Sequence, residues 1–255
     1  MKKLWKVLLA SFMVVGLVGC SSDEESSEDE TVMVYVGISP DYPPYESEDT
    51  DGNIVGFDPD MLEILEVYMN EGDTQYEFEL VSMSFDNIVT QIQADQITIG
   101  LSGFTYSEDR AVEWSIPYTA TSQVAVVNAD SDITSIDDLE GKTLGAQTST
   151  TGEDAANSVT DAEVVSLSDV KMLFEGLNSY AYDAVIVDIA VAQEYADASG
   201  YVVLEESLMD EMNYIIAKEG NTEIIDALDA ALEKFIASDD YDSLTTTYGL
   251  KKLTD

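Results

Sequence analysis

The stretch Ile99-Gly-Leu-Ser-Gly-Phe-Thr-Tyr-Ser-Glu-Asp-Arg110 carries most of the information about the fold of this 255-residue chain. It starts as an apolar strand and ends in a turn of small and hydroxylated residues. Arg110 is the only arginine in the sequence. A guanidinium holds a carboxylate through two parallel hydrogen bonds, a geometry that lysine cannot reproduce. We therefore predict that Arg110 binds a ligand carboxylate; the alternative is a surface residue that pairs with Asp109.

Strands and helices alternate on both sides of this stretch. Strands are predicted at 32–39, 76–81, 96–101, 124–127, 143–146, 163–166, 184–187 and 213–217. Helices are predicted at 58–69, 86–92, 168–177, 191–198, 223–238 and 241–248, and two more start at Ser135 and near Thr151. The alternation indicates an α/β fold with parallel strands, arranged as two similar units. Polar turns follow the strands, and open α/β sheets bind ligands there, so we expect two lobes with a cleft between them.

A second polar turn, Gln147-Thr-Ser-Thr-Thr-Gly-Glu153, lies between a predicted strand and a predicted helix. Backbone N–H groups at such a helix start form a site for an anion. Thr150 and Thr151 could instead only cap the helix.

The composition excludes several classes of function. With 52 acidic and 10 basic residues, the net charge is −42, so nucleic acid and anionic membrane surfaces are not expected partners. The chain has no histidine and a single cysteine, which excludes histidine-assisted nucleophiles and zinc sites built on nitrogen or sulfur. The segment Asp49-Thr-Asp-Gly-Asn53 starts like a calcium loop, but its glycine is misplaced, and it predicts a hairpin turn. No metal or cofactor is predicted.

The N-terminus has the features of an export signal. Three lysines precede an apolar segment, residues 7–18, that is too short to span a bilayer. Leu17-Val-Gly-Cys20 resembles a bacterial lipobox, which implies cleavage before Cys20 and its lipidation; the alternative is an ordinary secretory signal. Residues 1–20 are thus a predicted signal peptide. Residues 21–31 are acidic and hydroxylated, and we expect them to be a disordered tether.

Over residues 32–250 the chain resembles the polar amino-acid-binding proteins of ABC importers. The motifs that carry the resemblance are Tyr42-Pro-Pro-Tyr45, Gly56-Phe-Asp58, Ser84-Phe-Asp86, Ser102 to Arg110, Trp114-Ser-Ile-Pro-Tyr118, Asp138-Leu-Glu-Gly-Lys142, Gln147 to Thr151, Asp183-Ala-Val-Ile-Val-Asp188 and Ser238-Asp-Asp-Tyr241. The resemblance implies a two-lobed, periplasmic-binding-protein-like (type II) fold with a hinged cleft. It places the first lobe at 32–121 plus 213–255 and the second at 122–212, with chain crossings near 119–123 and 212–216.

The resemblance also implies a ligand site. Arg110 would hold the α-carboxylate of an amino acid together with the N–H groups of Thr105 and Thr151. Asp188 would take the α-ammonium, helped by the Thr105 hydroxyl and the Gly103 carbonyl. A buried zwitterion does need a partner for each charge, because an unpaired buried charge is costly. The remaining candidates for the site are Tyr42 and Phe85 beside the ligand side chain, together with Ser39, Ser102, Gln147 and Thr150.

Alternatives to these roles remain open. Asp188 could be a surface acid at a strand end, and Tyr42 and Phe85 could be core aromatic residues.

The ligand side chain is expected to be polar and uncharged. Ser39 stands where binders of basic amino acids place an acid, although Asp41 in the same turn could substitute for it. Gly103 replaces a serine of those relatives, and residues 147–149 offer neutral polar groups. No second cation lies at a matched position, so an acidic side chain would lack a partner. The sequence thus favours a ligand such as glutamine or cystine.

The predicted function is capture of a free L-amino acid outside the cytoplasm. The protein is expected to be a monomer, held at the membrane only by its lipid, that delivers its ligand to an ABC permease. It is not expected to be an enzyme. Two alternatives are a secreted dehydratase on the same fold, with Glu153 or Asp188 as acid or base, and a sensory component that signals through a partner.

Overall fold

The computed structural model describes residues 31–253. The predicted signal peptide, Cys20 and nearly all of the predicted tether lie outside the described residues and stay predictions. The strands are β1 Val32–Ile38, β2 Asp41–Tyr42, β3 Glu46–Glu48, β4 Ile54–Val55, β5 Tyr76–Ser82, β6 Ile99–Thr105, β7 Val112–Trp114, β8 Thr119–Val127, β9 Thr143–Gln147, β10 Glu163–Leu167, β11 Ala184–Asp188 and β12 Val202–Lys218. The helices are α1 Phe57–Met69, α2 Phe85–Gln93, α3 Thr151–Ser158, α4 Val170–Asn178, α5 Ile189–Ser199, α6 Thr222–Ile236 and α7 Asp239–Thr247, with a 3-10 helix at Ile136–Leu139.

Most strands belong to one mixed sheet in the order β10-β9-β11-β8-β12-β6-β1-β5, with β7 paired to β12. Parallel pairs form its two ends: β9 pairs with β10 and β11 at one end, and β1 pairs with β5 and β6 at the other. Antiparallel pairs involving β8 and β12 join these ends. Neighbouring parallel strands need a crossover connection, which is usually a helix, so these parallel pairs confirm the predicted α/β class.

The strands β8 and β12 connect the two ends of the sheet. They pair antiparallel, with Asn213 opposite Thr119 and Asp210 opposite Ser122. Beyond this region β12 pairs with β6 in one direction, and β8 pairs with β11 in the other. The chain therefore passes twice between the two ends of the sheet, close to the crossings that the resemblance implies.

Apolar side chains on both sides of the sheet form the core. Helix α1 buries Met61, Leu62 and Leu65 on one face, in helical spacing. Helix α4 buries Val170, Leu173 and Leu177 in the same way at the other end of the sheet. Burying each such side chain contributes about 1.5–3 kcal/mol relative to exposing it.

Three elements illustrate differences from the sequence-based expectation. Strand β12 has 17 residues, whereas the sequence predicts only its last part, 213–217, because residues 205–212 are mostly polar or exposed. The helix predicted at Ser135 is a 3-10 helix of four residues, closed by a capping box between Ser135 and Asp138. The short strand β7 has no counterpart in the prediction.

The hairpin turn predicted at 49–53 is present between β3 and β4. The Asp49 carboxylate accepts hydrogen bonds from the backbone N–H groups of Asp51 and Asn53 at 2.8 and 2.9 Å. Across residues 31–253, none of the helices has both the length and the apolar character needed to cross a bilayer.

Candidate functional site

Polar side chains line one face of the sheet where β11, β8, β12 and β6 lie side by side. Strand β8 supplies Thr119, Thr121 and Gln123 at every second position, so all three lie on the same face. All three are buried. The register places Asp188 opposite Gln123 and Glu211 opposite Thr121. Cross-strand neighbours on one face are in contact range, so strand pairing alone assembles this polar row.

Asp188 lies at the end of β11 and is 3% exposed. Its carboxylate accepts hydrogen bonds from Thr121 Oγ1 at 2.5 Å, from Gln123 Nε2 at 3.3 Å and from the Tyr42 hydroxyl. Burial raises the pKa of Asp188 above its ordinary value, and the bonds from Thr121, Tyr42 and Gln123 oppose that rise. Asp188 is a buried acid held by neutral donors, and its surface alternative is excluded.

Arg110 lies in the turn after β6. Its guanidinium donates to the Thr105 carbonyl at 3.1 Å and to the Ser149 carbonyl at 2.8 Å. Its charge centre lies over the rings of Phe104 and Phe85, 5.1 and 5.8 Å from their centroids. Burial lowers the pKa of Arg110, which the charges of Asp154 and Glu211 oppose. Arg110 therefore joins the turn after β6 to the turn before α3, and its ring contacts are of the cation–π type.

A continuous chain of hydrogen bonds connects the turns to Asp188. The hydroxyls of Thr105 and Thr151 are 2.7 Å apart. Thr151 Oγ1 and Gln123 Nε2 each donate to Glu211 Oε2 at 2.9 Å. Because Gln123 also reaches Asp188, Thr105, Thr151, Glu211, Gln123 and Asp188 form one network. These contacts connect the turn after β6 with the start of α3 and with the adjacent strands β8, β11 and β12.

The two predicted aromatic residues take different positions. Tyr42 bonds Asp188 through its hydroxyl and stacks on Tyr45, with ring centroids 5.9 Å apart. Phe85, the first residue of α2, stacks on Phe104 at 4.5 Å below the Arg110 guanidinium. Tyr42 is thus part of the Asp188 site, and Phe85 supports Arg110.

Ser102 and Ser39 lie in a separate buried cluster behind the polar row. Ser102 Oγ donates to Glu46 Oε1 at 2.5 Å and accepts from the Ser39 N–H at 3.1 Å. Ser39 Oγ donates to Asp41 at 2.8 Å, and Asp41 accepts the Val170 N–H at the start of α4 at 2.8 Å. The structure therefore places these two serines with the acids Glu46 and Asp41 rather than with Asp188.

The remaining candidates shape the backbone around the site. Thr150 caps α3 by accepting the Glu153 N–H at 3.1 Å and donates to the Gln147 carbonyl at 2.7 Å. Gln147 donates to the Ser168 carbonyl at 3.2 Å. The Gly103 carbonyl accepts Asn213 Nδ2 at 3.0 Å, and Gly103 has φ +60°, a backbone conformation that suits glycine.

An open cavity of about 610 Å³ adjoins Arg110. Its lining includes Phe85 from α2, Ser149 and Thr150 before α3, and Asp154 within α3. The volume lies in the range of pockets that hold small molecules.

Five residues at this face of the sheet were not among the predicted site residues: Thr119, Thr121, Gln123, Glu211 and Asn213. Thr119, Thr121 and Gln123 occupy every second position of β8. This spacing is a sequence signal from which a polar face on the strand could have been predicted. No comparable pattern marks Glu211, because its neighbours Asp210 and Met212 are also polar or exposed.

The chain is similar to known proteins over most of its length. A family model described as bacterial extracellular solute-binding proteins, family 3, matches residues 34–251. The arginine-binding extracellular protein ArtP of Bacillus subtilis is 29% identical over 243 residues, which cover 92% of each chain. A probable histidine-binding protein of Campylobacter jejuni is 24% identical over 98% of this chain and 100% of its own length. The structure of ArtJ, the arginine-, lysine- and histidine-binding protein of Geobacillus stearothermophilus, matches with a TM-score of 0.79 and 29% identity, covering 87% of this chain and 97% of ArtJ.

Proposed function

The chain belongs to family 3 of the bacterial extracellular solute-binding proteins, and we propose that it captures a free amino acid by holding its two backbone charges between Arg110 and Asp188. The fold is the two-lobed fold of amino-acid-binding proteins. Members of this family bind solutes and are not enzymes, so the dehydratase alternative is dropped.

One observation carries the proposal. Arg110 and Asp188 have opposite charges and lie at the two ends of a buried polar row. A zwitterion between them would bring a carboxylate to the half-buried arginine and an ammonium to the buried aspartate, which pairs both charges. The partners already present are neutral, because Arg110 donates to peptide carbonyls and Asp188 accepts from hydroxyl and amide groups.

The two lobes of this proposal are 32–121 plus 213–255 and 122–212. The pairing of Thr119 with Asn213 and of Ser122 with Asp210 supports a boundary in this region. Rotation about these paired segments would open the cleft, and a ligand that contacts both lobes would favour the closed form.

Two classes of ligand side chain are supported by different observations. A serine at position 39 and the neutral groups at 147–149 favour a neutral polar side chain such as that of glutamine or cystine. The cleft also holds two acids, Asp188 and Glu211, against the single cation Arg110. A ligand with one extra positive charge would balance that excess, and the arginine- and histidine-binding relatives agree with such a ligand. A thermal-shift screen of the twenty amino acids and cystine separates the two classes, because a tight ligand raises the melting temperature by mass action.

The proposal also includes the location of the protein and the partner that receives its ligand. A lipid on Cys20 would hold the protein at the outer side of the cytoplasmic membrane as a monomer. There it would present the closed form to an ABC permease. Uptake of the ligand by a strain that lacks this protein distinguishes transport from the alternative sensory role, because only transport predicts lost uptake.

The proposed contacts of Arg110 and Asp188 with the ligand are tested by two substitutions, with binding measured by calorimetry. Arg110→Lys keeps the charge but loses the two parallel N–H donors, and Asp188→Asn keeps the shape but loses the charge. Each is expected to weaken binding more than tenfold, since a lost charge-assisted hydrogen bond costs about 1.5–3 kcal/mol. Glu108→Gln changes an exposed residue near Arg110 that does not line the adjoining cavity, so it is the control and should bind like the wild type. Near-normal affinity in either cleft variant would contradict the proposed site.

A further inference from the structure

Asp41 connects the two ends of the molecule through the start of helix α4. It lies on the short strand β2, whose sheet partners β3 and β4 contact α1. Helix α4 packs against β9, β10 and β11, at the opposite end of the main sheet. Asp41 Oδ2 accepts the backbone N–H of Val170, the first residue of α4, at 2.8 Å. The contact therefore joins residues that the proposed function assigns to different lobes.

The surroundings of this contact suit a carboxylate. Asp41 is 8% exposed, and Val170 is fully buried. Asp41 Oδ1 accepts the Ser39 hydroxyl at 2.8 Å, while Oδ2 faces the helix. The first N–H groups of a helix have no partner within the helix, and the helix dipole favours a negative charge there. Asp169 caps α4 by accepting the Met172 N–H at 2.9 Å, so Asp41 satisfies a second N–H of the same helix start.

We propose that Asp41 is a latch that forms when the two lobes close, and that it strengthens ligand binding without touching the ligand. The inference rests on the proposed function and on its two lobes. Neither Asp41 nor Val170 is among the residues assigned to the charges of the ligand. Rotation about the paired segments of β8 and β12 would move α4 away from β2 and return both groups to water. The latch therefore acts on the equilibrium between the open and closed forms.

This role also bears on the ligand side chain. Asp41 is the acid that could substitute for the one missing at Ser39 in holding a cationic side chain. In the structure both of its oxygens already accept hydrogen bonds from the protein. Because Asp41 acts through closure, we expect it to affect cationic and neutral ligands alike.

Closure links the latch to affinity. The apparent dissociation constant equals the intrinsic one divided by the fraction of molecules in the binding-competent form. The net contribution of a single hydrogen bond corresponds to about a threefold to tenfold change in an equilibrium constant. Loss of the latch should therefore weaken the binding of every ligand by about that factor.

The experiment compares Asp41→Ala, Asp41→Asn and Asp169→Asn with the wild type. Binding of L-arginine, L-histidine, L-glutamine and L-cystine is measured by calorimetry, and hydrogen exchange of the Val170 amide is measured by NMR with and without the probe that binds best. Asp41→Ala is expected to weaken the binding of cationic and neutral probes by the same factor, about threefold to tenfold, and to speed exchange at Val170. Asp41→Asn keeps an oxygen that can accept the Val170 N–H, so its loss should be smaller. Asp169→Asn removes the same charge at the same helix start and still caps it, so it should bind no more weakly than the wild type.

The outcomes separate the inference from the proposed function. If the wild type binds a probe and Asp41→Ala binds it equally well, Asp41 is not a latch, while the amino-acid site stands. A loss confined to the cationic members of a mixed set of bound probes would mean that Asp41 contacts the ligand side chain, which also overturns the inference. Unchanged exchange at Val170 in Asp41→Ala overturns it for any set of probes. If no probe binds to the wild type, the proposed function fails and the inference fails with it. Thermal unfolding of each variant confirms that the compared chains are folded.

Discussion

Glu46 and Asp58 are two carboxyl groups with no exposed surface, on β3 and in the first turn of α1. Burial raises the pKa of Glu46 well above its ordinary value, and it raises the pKa of Asp58 from 3.8 to about 7. The charge of Asp58 adds to the rise in the pKa of Glu46, so burial and repulsion between the two carboxylates both favour protonation of the pair. Asp58 also accepts the Gly103 N–H at 3.4 Å, so the pair lies directly behind the site.

The pair predicts that stability falls as pH rises. The folded chain binds more protons than the unfolded chain between the ordinary pKa of Asp58, 3.8, and its folded value of about 7. In that range each rise in pH favours unfolding. We expect Asp58→Asn to flatten the decline in melting temperature between about pH 4 and 7, because the amide has no proton to lose. Its oxygen can still accept from Gly103.

Scanning calorimetry across this pH range is the measurement, and Glu63→Gln is the control. Glu63 is exposed on the same helix, so its substitution should leave the slope of the wild type unchanged. A variant at Asp58 with the same pH slope as the wild type would show that the buried pair does not control it.

At the scale of elements, helix α3 positions the second side of the site. Its first residue, Thr151, supplies a hydroxyl to the polar row, and its cap is Thr150. The helix starts close to the sheet, since a Cβ added at Gly152 would lie 2.8 Å from Gln123 Oε1 and 3.3 Å from the Ile186 carbonyl. A small displacement of the helix start therefore moves Thr151 relative to Gln123 and Glu211.

The cap gives a prediction for stability and for binding. Thr150→Ala removes the acceptor for the Glu153 N–H and should cost about 1 kcal/mol of unfolding free energy. Because the helix start also carries Thr151, ligand affinity should fall as well. Thr150→Ser keeps the hydroxyl and should retain both properties. Urea unfolding and calorimetry measure the two effects, and equal stability of the alanine and serine variants would contradict the role of the cap.

At the scale of the whole molecule, charge is the dominant feature. Ten basic residues cannot pair with 52 acidic ones, so most carboxylates have no cation of their own. Ion pairs such as Lys218–Asp95 and Lys234–Glu71 lie at the surface, where each contributes at most about 1 kcal/mol. The folded state concentrates this negative charge in a smaller volume than the unfolded chain does, so repulsion opposes folding.

Salt should therefore stabilise the protein. Raising sodium chloride from about 20 mM to about 0.5 M shortens the screening length severalfold, and we expect the melting temperature to rise by several degrees. The same titration near pH 4, where many carboxyls are protonated, should give a smaller rise. Thermal unfolding by circular dichroism measures both. If the melting temperature at neutral pH does not change with salt concentration, the repulsion between carboxylates is negligible.

Local patterns in the chain indicate the fold class and single out Arg110 and Asp188 as the candidate charged residues of the site. Strands and helices can be predicted because the periodicity that marks each of them is local in the sequence. The motifs from Tyr42 to Tyr241 indicate the family because their order along the chain can be read without knowing any contacts. Arg110 and Asp188 are predicted as site residues on this basis, and in the structure Arg110 contacts the turns at Thr105 and Ser149 while Asp188 is buried at the end of β11.

Contacts between distant parts of the chain determine which polar groups meet. Glu211 is one acid among 52, and no local pattern separates it from its neighbours. It reaches the site because β12 pairs with β8 in a register that sets Glu211 opposite Thr121. Ser102 and Ser39 were expected at the ligand and instead bond Glu46 and Asp41, because the burial of those acids requires donors. Register and burial depend on contacts between residues far apart in the chain, and a sequence read in order does not contain those distances.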